Sequence, residues 1–266
     1  MNKLKALLPG KDEFLLCAAT GLLSALGFPK WNLWPCAWIF LVPLLHVMRE
    51  SNARQGFKLA LWAGIVGNFL QLYWITWTIS DYTAVPVPAA AVVTLLLSLL
   101  VSLFWGAWGA SLCWLRARSR VPLPVLAAAL WVIFESLRTP LIRFNWNKLG
   151  VLWLSHENLS QGADLIGVYG LSFFVVLANA ALYEIFALRW RRRQGEEIPT
   201  EEARSKAAMP TIAFMIIGAL LLYGYARRAG MESKMNTGEP LLRAALIQGN
   251  IEQRMKWDPE WEEEIL

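Results

Sequence analysis

The residues best suited to contact a polar ligand are gathered near the end of one apolar segment and just after it. Glu135 and Arg138 lie three residues apart, and the amide of Asn145 and the indole of Trp146 follow. Ionisable residues inside apolar segments are costly in a membrane and commonly serve a function. Two interpretations of Glu135 and Arg138 stay open: they line the entrance for a head group, or they form an ion pair at a helix end. Asn145 and Trp146 are candidates for ligand binding or for an interfacial anchor.

The cysteines and histidines do not suggest a reactive or metal-binding centre. Cys17, Cys36 and Cys113 lie far apart within apolar runs, so neither a disulfide framework nor a lowered thiol pKa is expected. His46 and His156 are too few to hold a metal between them. The chain also has no nucleophile–base pair and no glycine-rich phosphate loop. We therefore predict no catalytic residue, no metal site and no cofactor in this sequence.

Other polar residues within the apolar segments are expected to serve the structure. Asn68 and Gln71 share one helix face and should form hydrogen bonds to neighbouring helices. Asp164 is expected to cap the helix that follows it. Gly167 and Gly170 are expected to allow close packing of helices.

Composition indicates a membrane protein. Hydrophobic residues make up 56% of the 266 residues and charged residues only 17%, which is too little charge to cover a water-soluble surface. The chain has 15 tryptophans, a residue that favours the membrane interface. Its net charge of +5 does not indicate nucleic-acid binding, because the basic residues fall in the short gaps between apolar runs.

The apolar residues divide into seven segments, which predict an all-α polytopic bundle of about seven transmembrane helices. The first two are short for the roughly 20 residues of a span, so they are either two tilted helices or a hairpin that penetrates incompletely. We expect the first segment to be retained rather than cleaved as a signal peptide. The segments cover about residues 14–28, 34–47, 57–79, 87–115, 122–137, 165–188 and 210–225.

Basic residues predict the orientation of the bundle. With a cytoplasmic N-terminus, fifteen Lys and Arg residues fall in the inner segments, and the outer loops hold only Lys30, Arg138, Arg143 and Lys148. This bias follows the positive-inside rule. It places residues after about 228 in the periplasm of a bacterium with two membranes, and the bundle in the inner membrane. The inner set is Lys3, Lys5, Lys11, Arg49, Arg54, Lys58, Arg116, Arg118, Arg120, Arg189, Arg191, Arg192, Arg193, Arg204 and Lys206.

The last part of the chain has a different character. Residues 241–248 form an apolar run of strand length, and Asp258 followed by Pro259 is typical of a helix start. A single strand and a helix stub cannot bury enough apolar surface to fold alone. We therefore expect residues 1–228 to be the membrane domain and 229–266 the beginning of an incomplete soluble domain.

Three stretches resemble the apolipoprotein N-acyltransferase family, in matching order and spacing along the whole chain. The first is Gly27-Phe28-Pro29 with Trp31, Trp34 and Pro35, and the second runs from Glu135 through residues 144–150 to 161–173. The third covers residues 245–251 and Lys256-Trp257-Asp258. The sequence departs from the family at Asn145, where a proline is expected between the phenylalanine and the tryptophan.

This resemblance implies a membrane bundle followed by a periplasmic nitrilase-like αββα domain. It also implies transfer of an acyl chain from a phospholipid to the N-terminal diacylglyceryl-cysteine of an apolipoprotein, through a thioester on a catalytic cysteine with a glutamate base and a lysine. Those three residues are expected beyond Leu266, so this chain alone should be inactive. The resemblance implies a role for Trp257 near the substrate entrance, where a core aromatic of the soluble domain is the alternative. The expected partners are phospholipids, diacylglyceryl-cysteine apolipoproteins and membrane lipids, with a monomeric chain.

Two other functions stay open on the residues alone. A transporter or channel would need matching interrupted segments in two related halves, and the sequence shows such a break only near its start. A non-catalytic membrane scaffold from a split gene would fit the same resemblance.

Overall fold

The computed structural model describes residues 9–154, 156–237, 245–248, 250 and 251, and the chain is helical throughout the regular part of these ranges. The helices and their bounds are α1 Lys11–Gly27, α2 Val42–Val47, α3 Ala53–Gln71, α4 Tyr73–Tyr82, α5 Val87–Arg116, α6 Leu123–Ile142, α7 Glu157–Ser160, α8 Ala163–Arg193 and α9 Thr200–Thr237, with 3₁₀ helices at Trp34–Trp38 and Leu149–Trp153. Helix is present in each of the seven apolar segments, so the prediction of an all-α membrane bundle is confirmed.

Four of the described helices are long and apolar enough to cross a membrane. They are α5, α6, α8 and the part of α9 from Ala207 to Met235. Helices α3 and α4 together pass the same test but meet at an angle of 48°, so the described residues contain four spans, or five if this pair is one broken span. The bend falls at Leu72, where neither glycine nor proline marks it in the sequence.

Helices α1, α3 and α5 pack through small residues. A Cβ added at Gly21 of α1 would lie 2.7 Å from the carbonyl oxygen of Ala63 in α3. On the other side of α3, a Cβ at Gly109 of α5 would lie 2.5 Å from the carbonyl oxygen of Gly56. The backbones therefore approach too closely for larger residues, as is typical of helix interfaces in lipid.

Polar side chains connect the same three helices. Asn68 Nδ2 donates to Ser102 Oγ at 3.0 Å, and Gln71 Nε2 donates to Ser24 Oγ at 3.1 Å. The predicted interhelix hydrogen bonds of Asn68 and Gln71 are thus confirmed. Thr76 adds a bond from α4 to Thr94 of α5 at 2.8 Å.

The second apolar segment is broken between its 3₁₀ helix and α2, and Asn179 of α8 satisfies the backbone at this break. Its Oδ1 accepts from the backbone N–H of Leu41 at 2.9 Å, and its Nδ2 donates to the carbonyl of Ala37 at 2.7 Å. Asn179 is fully buried. Since buried backbone groups must be paired, this one side chain permits a broken helix inside the bundle.

The bundle has two chemically different ends. We call one the basic end, where Arg49, Arg116 and Arg191 surround a cavity of about 640 Å³. We call the other the aromatic end, where Trp31, Trp74 and Trp146 surround a separate cavity. Basic residues from three distant parts of the chain thus meet at this end, together with Glu50, Glu184 and Glu196.

Contacts locate the two short segments at the start relative to these ends. Helix α1 has Phe14 beside Trp62, which is midway along α3, while Ala25 near the other terminus of α1 lines the aromatic cavity. The second segment begins with Trp34 against His156 and finishes where His46 packs on Trp190 at the basic end.

The described part of the tail does not form the expected strand. Residues 245–248 have no regular secondary structure, and Leu246 and Ile247 are almost fully exposed. A strand needs a partner for its hydrogen bonds, and no strand is present in the ranges that the structure describes. Residues 241–244 and the predicted helix start at Asp258 lie outside those ranges.

Candidate functional site

Glu135 of α6 holds the loop that follows its own helix. Its Oε1 accepts from the backbone N–H of Leu149 at 2.8 Å and from the indole of Trp131 at 3.3 Å. The carboxylate is 5% exposed, so these bonds form in a setting that contains little water. A charged acceptor is well suited to this position because it satisfies two donors that would otherwise be buried without partners.

Arg138, one turn later, holds the same loop at a second point. Its guanidinium donates to the carbonyl of Trp146, and the side chain is 4% exposed. No salt bridge within 4 Å joins Glu135 and Arg138 in the described part of the chain, although the two opposite charges attract each other at longer range. Each side chain binds loop backbone instead, because the loop brings unpaired backbone groups within its reach.

A second set of contacts fixes the beginning and the end of this loop. Thr139 donates to the amide oxygen of Asn145 at 3.1 Å, and the N–H of Gly150 donates to Ser172 Oγ at 2.8 Å. Arg143 and Asn147 both have positive φ, of 53° and 57°, which turns the chain tightly. The loop is therefore a shaped structure whose form depends on α6 and α8.

The loop forms one wall of a cavity of about 420 Å³ at the aromatic end. The other walls come from the turn after α1 and from the bend between α3 and α4. Its lining residues are mainly aromatic and polar: Ala25, Phe28, Pro29, Lys30, Trp31, Leu70, Gln71, Tyr73, Trp74, Asn145, Trp146, Asn147, Lys148 and Val151. The bend at Leu72 thus creates the space, because α4 diverges from the axis of α3.

Two lysines and several aromatic rings determine the chemistry of this cavity. The ammonium of Lys30 lies 3.7 Å from the centre of the Tyr73 ring, and that of Lys148 lies 4.5 Å from the centre of the Tyr169 ring. Rings hold a cation in position through their negative faces. The Nδ2 of Asn147 is buried and has no acceptor within the described part of the chain. The cavity therefore offers two positive charges and an amide donor beside apolar rings.

The structure brings some of the predicted residues to this cavity and keeps others away. Asn145 and Trp146 both line it, and Trp146 is 60% exposed with its ring against Trp74 at 5.5 Å. Glu135 does not line the cavity, but it holds the loop through the backbone N–H of Leu149. Trp257 lies outside the described residues. The roles predicted for these four residues in substrate binding stay predictions.

Two smaller structural expectations were wrong. Asp164 does not cap its helix but accepts from Tyr223 Oη at 2.8 Å and from Arg227 at 3.3 Å, both on α9. Gly167 does not allow close packing, since a Cβ there would meet no atom within 4 Å. Its φ of +64° breaks α8 and explains the glycine.

Sequence reasoning missed Lys30, Tyr73 and Trp74 as cavity residues. The sequence predicts Lys30 only as an outer-loop charge, and it gives Tyr73 and Trp74 no role beyond membership of the third apolar segment. The available signal was their membrane depth, because all three fall at the same predicted interface as residues 144–150. The depth of a residue in the membrane does not show which neighbouring helix it faces. The cavity could therefore not be predicted from the sequence.

These features define a polytopic α-helical membrane protein with a cationic, aromatic cavity at one end. Comparison with known proteins gives a match to the apolipoprotein N-acyltransferase N-terminal domain over residues 20–181. The chain belongs to the apolipoprotein N-acyltransferase family, which is an acyltransferase family. This membership leaves the transporter or channel alternative without support.

Individual relatives agree with this assignment. The apolipoprotein N-acyltransferase of Geobacter metallireducens is 34% identical over 264 residues, which are 96% of this chain and 47% of the relative. That of Azotobacter vinelandii is 34% identical over 95% of this chain and 46% of the relative. That of Pseudomonas aeruginosa is 30% identical over 94% of this chain and 46% of the relative. The chain spans about half the length of the curated relatives it matches.

Proposed function

We propose that this chain is the membrane half of an apolipoprotein N-acyltransferase, and that the cavity at the aromatic end receives the head group of the phospholipid acyl donor. The observation that carries the proposal is the placement of Lys30, Lys148 and the buried Asn147 amide in one cavity. A phosphodiester needs cationic and N–H donors, and an acyl chain needs an apolar wall beside them. The apolipoprotein's diacylglyceryl-cysteine is the acyl acceptor.

The proposed topology has seven crossings of the bacterial inner membrane, with the basic end in the cytoplasm. The second segment runs from Trp34 at one end of the bundle to His46 at the other, which supports counting it as a crossing, and we count α1 as a crossing on its length. At 1.5 Å per residue, the 17 residues of α1 extend about 26 Å, close to the hydrocarbon thickness of about 30 Å. The aromatic end then lies at the periplasmic interface, where tryptophan is favoured.

The proposed domain division places the membrane domain in residues 1–228 and the start of a nitrilase-like domain in 229–266. Helix α9 continues past residue 228 to Thr237 and so leads out of the membrane at the aromatic end. The exposed Leu246 and Ile247 supply apolar surface for strand pairing in that domain. The cavity and the acyl-transfer residues, expected beyond Leu266, would then face each other at the periplasmic surface.

Photolabelling of the 266-residue chain in nanodiscs tests the head-group site. The probe is phosphatidylethanolamine with a diazirine on its head group, and adducts are mapped by mass spectrometry. We expect them to concentrate in residues 28–31, 73–74 and 145–148. Replacing both Lys30 and Lys148 with glutamine should lower labelling of this cavity by about 30-fold, since each interfacial charge contributes roughly a fivefold effect.

The matched control removes the same charge elsewhere. Arg118→Gln with Arg120→Gln changes two exposed basic residues outside the cavity and should leave its labelling unchanged. Labelling spread evenly over both ends of the bundle, or equally reduced by the two double variants, would contradict the proposed site.

A further inference from the structure

A lipid-facing groove, separate from both end cavities, runs along α3 and α5. It encloses about 770 Å³ and is lined by Arg54, Gln55, Phe57, Lys58, Leu61, Trp62, Ile65, Leu95, Leu96 and Leu99. Its residues change from polar to apolar along its length. Arg54, Gln55 and Lys58 lie in the first turns of α3 at the basic end, and the residues further into the bundle are apolar.

The charged residues that line the groove, Arg54 and Lys58, are both basic. No acidic residue lines it, and neither Arg54 nor Lys58 forms an ion pair with an acid among the residues that the structure describes. Glu13 of α1 lies in the same region, but its carboxylate accepts from the backbone N–H of Gly10 at 2.8 Å. The two cations are therefore available to an anionic ligand.

The α3 side of the groove is about as long as one leaflet of a bilayer is thick. From Arg54 to Ile65 it follows α3 for eleven residues, or about 16 Å at 1.5 Å per residue. Half of the hydrocarbon core is about 15 Å thick. Leu95, Leu96 and Leu99 are 45%, 60% and 40% exposed and continue the apolar surface beyond Ile65, because Asn68 of α3 bonds Ser102 and Thr76 of α4 bonds Thr94.

We propose that this groove binds an anionic phospholipid of the leaflet at the basic end, with its phosphate at Arg54 and Lys58 and an acyl chain that passes Leu61 and Ile65 toward Leu99. The charge of the groove selects the anionic head group, and its length accommodates the chain. This lipid is distinct from the proposed acyl donor, which enters at the opposite end of the bundle. Its binding holds α3 against α5 from the lipid side.

Native mass spectrometry of the chain with dioleoyl phosphatidylglycerol or dioleoyl phosphatidylcholine tests the proposal. The wild type should retain one phosphatidylglycerol more tightly than any phosphatidylcholine. Arg54→Gln with Lys58→Gln should weaken phosphatidylglycerol binding by about 30-fold, from roughly fivefold for each charge. Binding of phosphatidylcholine should not change.

Two further variants distinguish the contribution of the lipid head group to binding from that of the acyl chain. Arg118→Gln with Arg120→Gln removes the same charge at the basic end outside the groove, and should alter phosphatidylglycerol binding by less than about twofold. Leu96→Trp fills the exposed groove and should weaken both lipids. Millimolar glycerol phosphate should not compete.

Three results would overturn the proposal. They are equal retention of the two lipids by the wild type, equal effects of the two double variants, and displacement of the lipid by glycerol phosphate. The last result would identify a site for free phosphate in which the acyl groove has no part. A failure of the photolabelling at the aromatic end would leave this experiment unaffected, since the two sites share no residue.

Discussion

At the scale of single residues, burial determines what a charged side chain can do. Glu135 and Arg138 are nearly excluded from solvent, and each binds backbone of the loop after α6. A buried charge is costly unless it is hydrogen-bonded, so the loop and the two charges stabilise one another. This explains why an outer loop next to a proposed lipid site can keep a fixed shape without a regular helix.

Removing the acceptor at residue 135 should destabilise the loop. Glu135→Leu leaves the buried N–H of Leu149 without a partner, at a cost of about 1–3 kcal/mol in the free energy of unfolding. Glu135→Gln keeps a neutral acceptor of the same shape and should cost less. Thermal unfolding in detergent and protease cleavage within residues 144–148 measure both effects. Equal stability of the two variants would show that the hydrogen bond to Leu149 does not stabilise the protein.

The glycine at position 167 is required by backbone conformation. Gly167→Ala places a Cβ on a residue with φ of +64° and ψ of 177°, a region essentially restricted to glycine, and should cost about 1–3 kcal/mol although no neighbouring atom obstructs it. Gly218→Ala is the control, because it lies in the helical part of α9 with the same open space. That variant should be neutral or stabilising by about 0.5–1 kcal/mol. Thermal denaturation compares the two, and an equal loss would refute the backbone argument.

At the scale of elements, the broken segment from Trp34 to Val47 depends on another helix. An intact helix satisfies its own backbone groups in lipid, whereas a break exposes an N–H and a carbonyl that must find other partners. Asn179 supplies both partners from α8. The bend between α3 and α4 is the second interruption, and it provides the wall of the aromatic cavity.

The dependence on Asn179 can be measured directly. Asn179→Leu should lower the free energy of unfolding by about 2–4 kcal/mol, since the buried backbone groups of Leu41 and Ala37 both lose their partner. Thr78→Val is the control, because Thr78 is exposed and bonds only the carbonyl of Trp74 in its own helix. The midpoint of thermal unfolding in detergent should fall for the first variant and stay nearly constant for the second. Similar midpoints would exclude a role for Asn179 at the break.

At the scale of the whole molecule, the separation of the two ends predicts the topology. Reporter fusions after Arg120 and after Arg193 should report the cytoplasm, because the basic end collects the inner loops. Fusions after Asp81 and after Gly238 should report the periplasm. Alkaline phosphatase and green fluorescent protein fusions give opposite signals for the two compartments. A cytoplasmic signal after Gly238 would contradict the count of seven crossings.

For the whole molecule we also predict that the 266-residue polypeptide alone catalyses no acyl transfer. Cys17 and Cys113 are buried inside the bundle, and Cys113 donates weakly to the carbonyl of Met48 at 4.0 Å, an acceptor that cannot act as a general base for a thiol. Mass spectrometry after incubation with labelled phospholipid should show no acyl adduct on Cys17, Cys36 or Cys113. A stoichiometric adduct that a diacylglyceryl-cysteine peptide then removes would place catalysis in this half of the family's sequence.

The sequence by itself determined the membrane class, the helical segments, the bias of basic residues and the resemblance that identified the family. These are local properties, since each helix in lipid satisfies its own backbone and must be apolar over its length. The interhelix role of Asn68 and Gln71 could also be predicted, because a polar amide within a span needs a partner on a neighbouring helix.

Only the tertiary structure decided which residues meet. The bend at Leu72, the partners of Glu135, Arg138 and Asp164, and the position of Asn179 all depend on how helices are rotated and placed in depth against one another. Hydropathy does not encode rotation, because lipid is as apolar as the interior of the bundle and either face of a helix can be buried. The aromatic cavity is therefore a product of packing between three distant parts of the chain.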